Sequence, residues 1–130
     1  MIVALDHVQV AAPEGCEQEA RAFYGDVLGL EEIEKPPLLA ARGGVWFAVG
    51  DQQLHVGVAA QFAPATKAHP ALRVSSAAAL ECLVERLEAS GASASRPDTD
   101  EIPGTVRAFA SDPWGDRLEL VAATGARVFT

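Results

Sequence analysis

The sequence repeats one order of elements twice, and this duplication limits the possible folds more than any other feature. Residues 3–58 and 69–122 each read as strand, helix, strand, strand, strand, with little sequence identity between the halves. The helical pattern of each half ends at a glycine, Gly29 and Gly91, which is a usual C-terminal stop. A duplicated βαβββ unit predicts an α+β fold with a pseudo-twofold axis.

Alternating and β-branched runs indicate the positions of the strands. The clearer predictions are strands at 3–10, 45–49, 53–58, 70–75, 105–111 and 117–122, and the weaker ones lie at 31–35 and 93–96. Apolar residues at helical spacing predict one helix through Cys16, Ala20, Phe23 and Val27, and another through Leu80, Leu83, Val84 and Leu87.

With 130 residues, the chain is long enough for one domain. We expect the two modules to be joined by a connector at about 59–68 and followed by a tail at 123–130. Residues 36–42 and 98–104 are predicted loops, either lids over a site or ordinary surface connections.

All three histidines fall at related positions of the duplicated pattern. His7 and His69 open the first strand of each half, whereas His55 and Glu119 lie in the last strands. A pseudo-twofold axis would bring the four side chains together. Their neighbours of opposite parity are apolar, which places all four on the polar face of the sheet. The alternative for any single histidine is a half-buried side chain with a backbone partner.

Three imidazoles and one carboxylate form a ligand set for a divalent metal ion such as zinc, nickel, cobalt, iron or manganese. The pattern therefore predicts a metal site made of His7, His55, His69 and Glu119. Histidine must be neutral to bind metal, so loading is expected to weaken as the pH falls through about 6.5.

The same parity argument extends to side chains that could contact a substrate. Trp46 and Phe109 occupy polar-face positions in the third strand of each half, and Arg107 shares the face of Phe109. We expect the two aromatics to form walls of a pocket, and Arg107 or Arg73 to hold an anionic substrate group. Packing of the aromatics and surface ion pairs of the arginines are the alternatives.

Charge and cysteine usage exclude several classes of partner. Ten Lys and Arg against eighteen Asp and Glu give a net charge of −8, which disfavours nucleic acid and anionic membranes. The start of the chain lacks a basic targeting pattern, and no apolar run approaches a membrane span. Cys16 and Cys82 match neither a disulfide framework nor a thiolate zinc motif. A cytoplasmic protein with two reduced thiols is expected.

Four segments, LDHVQV, FYGDVLGL, KAHPALRV and DPWGDRLELV, resemble the vicinal-oxygen-chelate superfamily. This superfamily includes glyoxalase I, bleomycin- and fosfomycin-resistance proteins, methylmalonyl-CoA epimerases and extradiol dioxygenases. The resemblance covers about residues 3–122. It implies two βαβββ modules that form a cup-like, mixed eight-stranded sheet with helices outside, usually in a homodimer.

The resemblance also implies roles for particular residues. His7, His69 and Glu119 match the His, His, Glu positions of the fosfomycin and extradiol branches, while His55 stands where glyoxalase I has a glutamate. The implied activity is that of a metal-dependent lyase or isomerase that chelates vicinal oxygens of a small substrate and stabilises an enediolate. Glu119 is then the first candidate for the base, and His55 the second.

Two other functions remain open at this point. A metal-free drug- or metabolite-binding protein of bleomycin-resistance type would use the same cup as an aromatic pocket, and the net charge suits a basic ligand. An Fe(II) dioxygenase would use two histidines and one carboxylate as a facial triad. The presence of all four candidate metal ligands favours the metal-dependent lyase or isomerase over the metal-free binding protein.

Overall fold

The computed structural model describes residues 1–97 and 101–125. The chain divides into two compact units, Met1–Ala65 and Thr66–Thr130. Each unit contains one four-stranded mixed sheet, and the fold class expected from the sequence, α+β with a duplicated module, is confirmed. That the two units make up one domain stays a prediction. No helix in the described part of the chain is long and apolar enough to cross a membrane.

The first unit has four strands and two helical segments. They are β1 (His7–Ala12), α1 (Glu17–Ala20, continued as a π-helix over Arg21–Val27), β2 (Glu31–Ile33), α2 (Pro37–Ala40), β3 (Val45–Val49) and β4 (Gln52–Val58). The strand order is β1-β4-β3-β2, with β1 parallel to β4 and the other pairs antiparallel.

The second unit repeats this topology. Its elements are β5 (Ala71–Arg73), α3 (Ala77–Ala89), β6 (Ala94–Ser95), β7 (Thr105–Ser111) and β8 (Arg117–Ala123). The strand order is β5-β8-β7-β6, and β5 runs parallel to β8. Helix α3 begins at the Ser76 cap, whose hydroxyl accepts the backbone N–H of Ala79 at 3.0 Å.

Each sheet buries one face against its helices. In the first unit Phe47, Leu54 and Val56 are buried, and the ring of Tyr24 from α1 lies 5.9 Å from that of Phe47. In the second unit α3 packs against β7 and β8 and buries Leu80, Val84 and Leu87. The apolar residues of alternate parity therefore face the helices, as predicted, and leave the polar residues on the opposite face of each sheet.

Several predicted boundaries were wrong. Strand β1 begins at His7 rather than residue 3, because its partner β4 begins at Gln52 and leaves the preceding residues without a strand to pair with. The predicted loop 36–42 contains α2, in which Pro37 stands at a first-turn position that tolerates proline. The predicted loop 98–104 and tail 123–130 lie partly outside the described residues.

Candidate functional site

The polar face of the first unit carries a stack of three aromatic rings. The strand register places His55 opposite Gln9 on one side and Trp46 on the other. The rings of Trp46 and His55 have centroids 3.8 Å apart and planes within 2° of parallel. On the other face of His55 lies the His7 ring, at 4.2 Å and 15°. Two of the predicted site histidines and one predicted pocket aromatic therefore lie together.

His55 is held as a neutral imidazole by its surroundings. It is 4% exposed, and burial lowers its pKa, helped by repulsion from His7 and Lys35 and only partly opposed by Asp6. Its Nε2 lies 2.8 Å from Oε1 of Gln53 on the same strand. Gln53 thus occupies one of the two ring nitrogens of His55.

His7 is half-exposed and has a different partner. Its Nδ1 lies 2.9 Å from Oδ1 of Asp6. When Nδ1–H donates to that carboxylate, Nε2 keeps the lone pair of the neutral ring. An acidic partner on the opposite ring nitrogen is the usual way in which proteins orient a metal-binding histidine.

The second unit brings His69 and Glu119 into direct contact. His69 immediately precedes β5, and Ala71 in that strand pairs with Glu119. The distance from His69 Nε2 to Glu119 Oε1 is 3.0 Å, while Nδ1 lies 2.8 Å from the carbonyl oxygen of Lys67. A carbonyl oxygen can only accept a hydrogen bond, so Nδ1 of His69 donates to Lys67. The other ring nitrogen, Nε2, is the one that contacts the carboxylate.

Arg107 holds the same carboxylate from the neighbouring strand. Its Nε donates to Glu119 Oε2 at 2.9 Å and its Nη2 to Oε1 at 3.4 Å. Burial of Glu119 raises its pKa, but the hydrogen bonds from Arg107 and His69 outweigh burial and leave the pKa below its ordinary value. Glu119 is therefore ionised at neutral pH.

Phe109 lies at the centre of this arrangement. It pairs directly with Glu119 in the register of β7 and β8. Its ring meets the His69 ring edge-on, with centroids 6.0 Å apart, and the guanidinium carbon of Arg107 lies 5.1 Å from its centroid. Phe109 and Arg107 thus adjoin the His69–Glu119 pair, whereas Arg73 lies exposed at the end of β5.

The donor atoms of the second unit fit a divalent metal ion. An imidazole nitrogen and a carboxylate oxygen, already 3.0 Å apart, are ligand atoms that zinc, nickel, iron and manganese accept once Nε2 carries no proton. Both groups also have the outer hydrogen bonds that orient metal ligands. Across residues 1–97 and 101–125, no group of three or more His, Cys, Asp or Glu side chains is arranged to hold a metal ion.

Sequence reasoning placed the site residues but missed their partners. The sequence pattern assigned no role to Gln53, Arg117, Asp6 or Lys67. Strand parity could have pointed to Gln53, two residues before His55. The Lys67 carbonyl carries no signal in the sequence, because any residue type can offer it.

Comparison with known proteins identifies a common fold and family. The model of the Glyoxalase/Bleomycin resistance protein/Dioxygenase superfamily matches residues 4–120. No curated protein matches the sequence. Among solved structures, a protein from Bacillus anthracis described as belonging to the glyoxalase family is 44% identical, with a TM-score of 0.86, covering 95% of this chain and 98% of that one.

Two further structures share the fold at lower identity. The fosfomycin resistance protein FosX from Listeria monocytogenes is 19% identical with a TM-score of 0.76, covering 95% of this chain and 94% of that one. Lactoylglutathione lyase from Agrobacterium tumefaciens is 20% identical with a TM-score of 0.71, covering 93% and 94%. At these identities the likeness concerns the fold alone.

Proposed function

The chain belongs to the Glyoxalase/Bleomycin resistance protein/Dioxygenase superfamily, and from this premise we propose that it is a metal-dependent enzyme of the lyase or isomerase type. Its substrate is a small molecule with two adjacent oxygens. The observation that carries the proposal is the contact of His69 Nε2 with Glu119 Oε1, 3.0 Å apart and each held by an outer partner.

The proposed ligands begin with this pair. His69 offers Nε2 and Glu119 offers Oε1 to a zinc, nickel, cobalt, iron or manganese ion. His7 and His55 are the ligands proposed from the first unit. His7 can offer Nε2 while Asp6 contacts its Nδ1. In His55, Nε2 contacts Gln53, so this contact would have to break before Nε2 binds a metal, unless Nδ1 is the ligand atom.

The chain's own residues supply the proton chemistry. A bound divalent metal contributes Lewis acidity that polarises a substrate carbonyl. Glu119 is the proposed base: with its ligand role loosened on substrate binding, it would take a proton from the carbon next to that carbonyl and return it to the adjacent position. The lowered pKa of Glu119 keeps it ionised at neutral pH, as a base has to be. His55, neutral because burial lowers its pKa, is the second candidate.

Other side chains would position the substrate and limit water. Phe109 and Trp46 are the proposed apolar walls of the pocket, and Arg107 or Arg73 is the proposed partner of an anionic substrate group. Arg107 already binds Glu119, so its first role is to orient the carboxylate. We also propose that the protein is cytoplasmic, as expected from the sequence, and that it acts as a homodimer, as the family resemblance implies.

Metal binding tests this proposal without knowledge of the substrate. The purified full-length protein is incubated with nickel, zinc, iron or manganese, desalted and subjected to elemental analysis. We expect about one equivalent in the wild type and a loss of at least about tenfold in affinity for His69→Ala and Glu119→Gln. Glu81→Gln is the matched control, since Glu81 is an exposed carboxylate paired with Arg96. Fewer than about 0.2 equivalents in the wild type would reject the proposal.

One observation favours a second function, metal-free binding of a drug or metabolite. Arg107 already neutralises Glu119, so this carboxylate has a charge partner without a metal. The flat stack of Trp46, His55 and His7 would offer ring faces or edges to an aromatic ligand. The same metal analysis separates the two functions, because a protein that binds its ligand without metal would retain no metal after desalting.

A further inference from the structure

The second unit contains a cleft that the proposed metal chemistry does not use. Its volume is about 350 Å³, which lies at the small end of the range for ligand pockets. Four hydroxyl-bearing residues, one aromatic ring and one cation line the cleft, together with Ala94, Ala110 and Gly115. The first six are Thr66, Ser93, Ser95, Ser111, Phe109 and Arg117.

Arg117 is the residue of this cleft that most favours binding of a ligand. Its guanidinium carbon lies 4.2 Å from the centroid of Phe109, so the planar group stacks over the ring. Within the described residues, Arg117 has neither an ion pair nor a side-chain hydrogen bond. Arg107, on the same ring, differs because its charge is matched by Glu119. The N–H groups of Arg117 are therefore available.

The cleft opens on the same face of the sheet as the His69–Glu119 pair. The strand register pairs Ser111 with Arg117, Ser95 with Phe109, and Phe109 with Glu119. Residues paired across a sheet share a face, so these side chains form one continuous surface. Phe109 lines the cleft and also meets the His69 ring, which makes the cleft and the pair immediate neighbours.

We propose that this cleft binds an oxyanion, a phosphoryl or carboxylate group, carried by the substrate, with Arg117 as its cationic partner and the serine hydroxyls as further donors. A guanidinium presents a fork of N–H donors that matches such oxygens, and Ser or Thr hydroxyls rotate to complete the hydrogen bonds. The inference rests on the proposed function, and it assigns the substrate class: a small molecule with adjacent oxygens at one end and an oxyanion at the other.

An anionic substrate needs a local cationic site on this protein, because the protein as a whole is acidic. A net charge of −8 repels anionic substrates at long range. An unpaired guanidinium stacked on an aromatic ring has lost part of its hydration, so an arriving oxyanion gains a charge-assisted hydrogen bond at a reduced desolvation cost. Ser95, which pairs with Phe109 from β6, and Ser111, two residues after Phe109 in β7, can extend the contact.

The test titrates the full-length protein with inorganic phosphate and, separately, with acetate, and follows the backbone amides by NMR. EDTA is present, so that neither anion is held by a metal. We expect saturable shifts at Ser95, Phe109 and Ser111, and an affinity reduced by about tenfold or more in Arg117→Gln. Arg21→Gln is the control, because Arg21 is an exposed arginine paired with Glu32, and it should bind as the wild type does.

The two anions distinguish the source of the oxyanion. Tighter binding of phosphate assigns a phosphoryl group, and tighter binding of acetate assigns a carboxylate. Absence of saturable binding of both, or unchanged affinity in Arg117→Gln, overturns the inference. If Arg117→Gln does not fold, Arg117→Lys and Ser111→Ala carry the test, each with an expected loss of several fold. Because EDTA removes metal from the titration, absence of anion binding would not contradict the proposed metal site. Likewise, absence of metal binding would not contradict an observed anion site.

Discussion

The indole ring of Trp46 and the imidazole ring of His55 lie parallel, with centroids 3.8 Å apart. The two residues are directly opposite each other in antiparallel β3 and β4, so the strand register itself creates the contact. Trp46 covers one face of His55 while the His7 ring covers the other. The stack therefore buries an ionisable ring on the polar face of the sheet.

Removal of this cover should change the titration of His55. Burial is the main cause of its lowered pKa. In Trp46→Leu we expect the pKa of His55 to rise toward the ordinary value of about 6.5, because water reaches the ring. Titration of the imidazole protons by NMR measures the change. Trp114→Leu, in the turn before β8, should leave the pKa of His55 where it is. An unchanged pKa in Trp46→Leu would contradict the account.

The pH dependence of stability provides a second prediction. The folded protein holds the pKa of His55 below that of the unfolded chain, so the unfolded state binds the proton more readily. The contribution of neutral His55 to the free energy of unfolding is fully present above about pH 6.5, and it is lost as the pH falls toward the pKa of His55 in the folded protein. His55→Phe retains a ring but cannot titrate. Its free energy of unfolding should fall less steeply than that of the wild type below pH 6.5, as measured by urea unfolding. Equal pH dependence of the free energy of unfolding in the two proteins would contradict this prediction.

The contact between Arg107 and Glu119 should be necessary for the ionised state of this carboxylate. In Arg107→Gln, burial of Glu119 acts with less opposition, and its pKa should rise. We expect a loss of about 2 kcal/mol in the free energy of unfolding at pH 7, because a buried charge loses its strongest donor. Carboxyl-carbon NMR and denaturant unfolding measure the two effects.

The matched control for this ion pair is Arg96→Gln. Arg96 and Glu81 form an exposed pair at the surface, and its loss should cost less than about 1 kcal/mol. If both variants lose the same amount, burial does not strengthen the Arg107–Glu119 contact as we argue.

The core of the second unit should respond to truncation of its buried strand residues. Leu120 is 1% exposed, on the helix-facing side of β8. Leu120→Ala should lower the free energy of unfolding by about 3 kcal/mol through lost burial and the cavity left behind. Leu38, 91% exposed in α2, is the control, and Leu38→Ala should cost less than about 0.5 kcal/mol. Similar losses in the two variants would refute the assignment of the core.

Much of the fold could be predicted from the sequence because periodicity is a local property. Alternation in QLHVGV and RLELV indicated which side chains face the helices, and the duplicated order indicated two modules. The start of β1 could not be read in this way. Val3, Ala4 and Leu5 extend the apolar run toward the N-terminus, yet no residues of β4 lie opposite them. Strand ends depend on the partner strand, which a local pattern does not contain.

The site was predictable as a set of residues but not as a set of contacts. Parity placed Arg107 on the face of Phe109, although it could not indicate that Arg107 binds Glu119 while Arg117 stays without an acidic partner in the described part of the chain. That difference depends on the register of β7 and β8 and on side-chain rotamers. The engagement of His55 by Gln53 was equally hidden, because it depends on the orientation of two neighbouring side chains.

The central claim is that His69 and Glu119 bind a divalent metal through the two atoms now 3.0 Å apart. Anomalous diffraction from crystals of the wild-type protein, soaked in nickel or zinc, tests it directly. The account predicts one strong peak within coordination distance of both His69 Nε2 and Glu119 Oε1, at roughly 2.0–2.2 Å from each. A fully soaked crystal with no peak there, or with metal bound only at other residues, would contradict it.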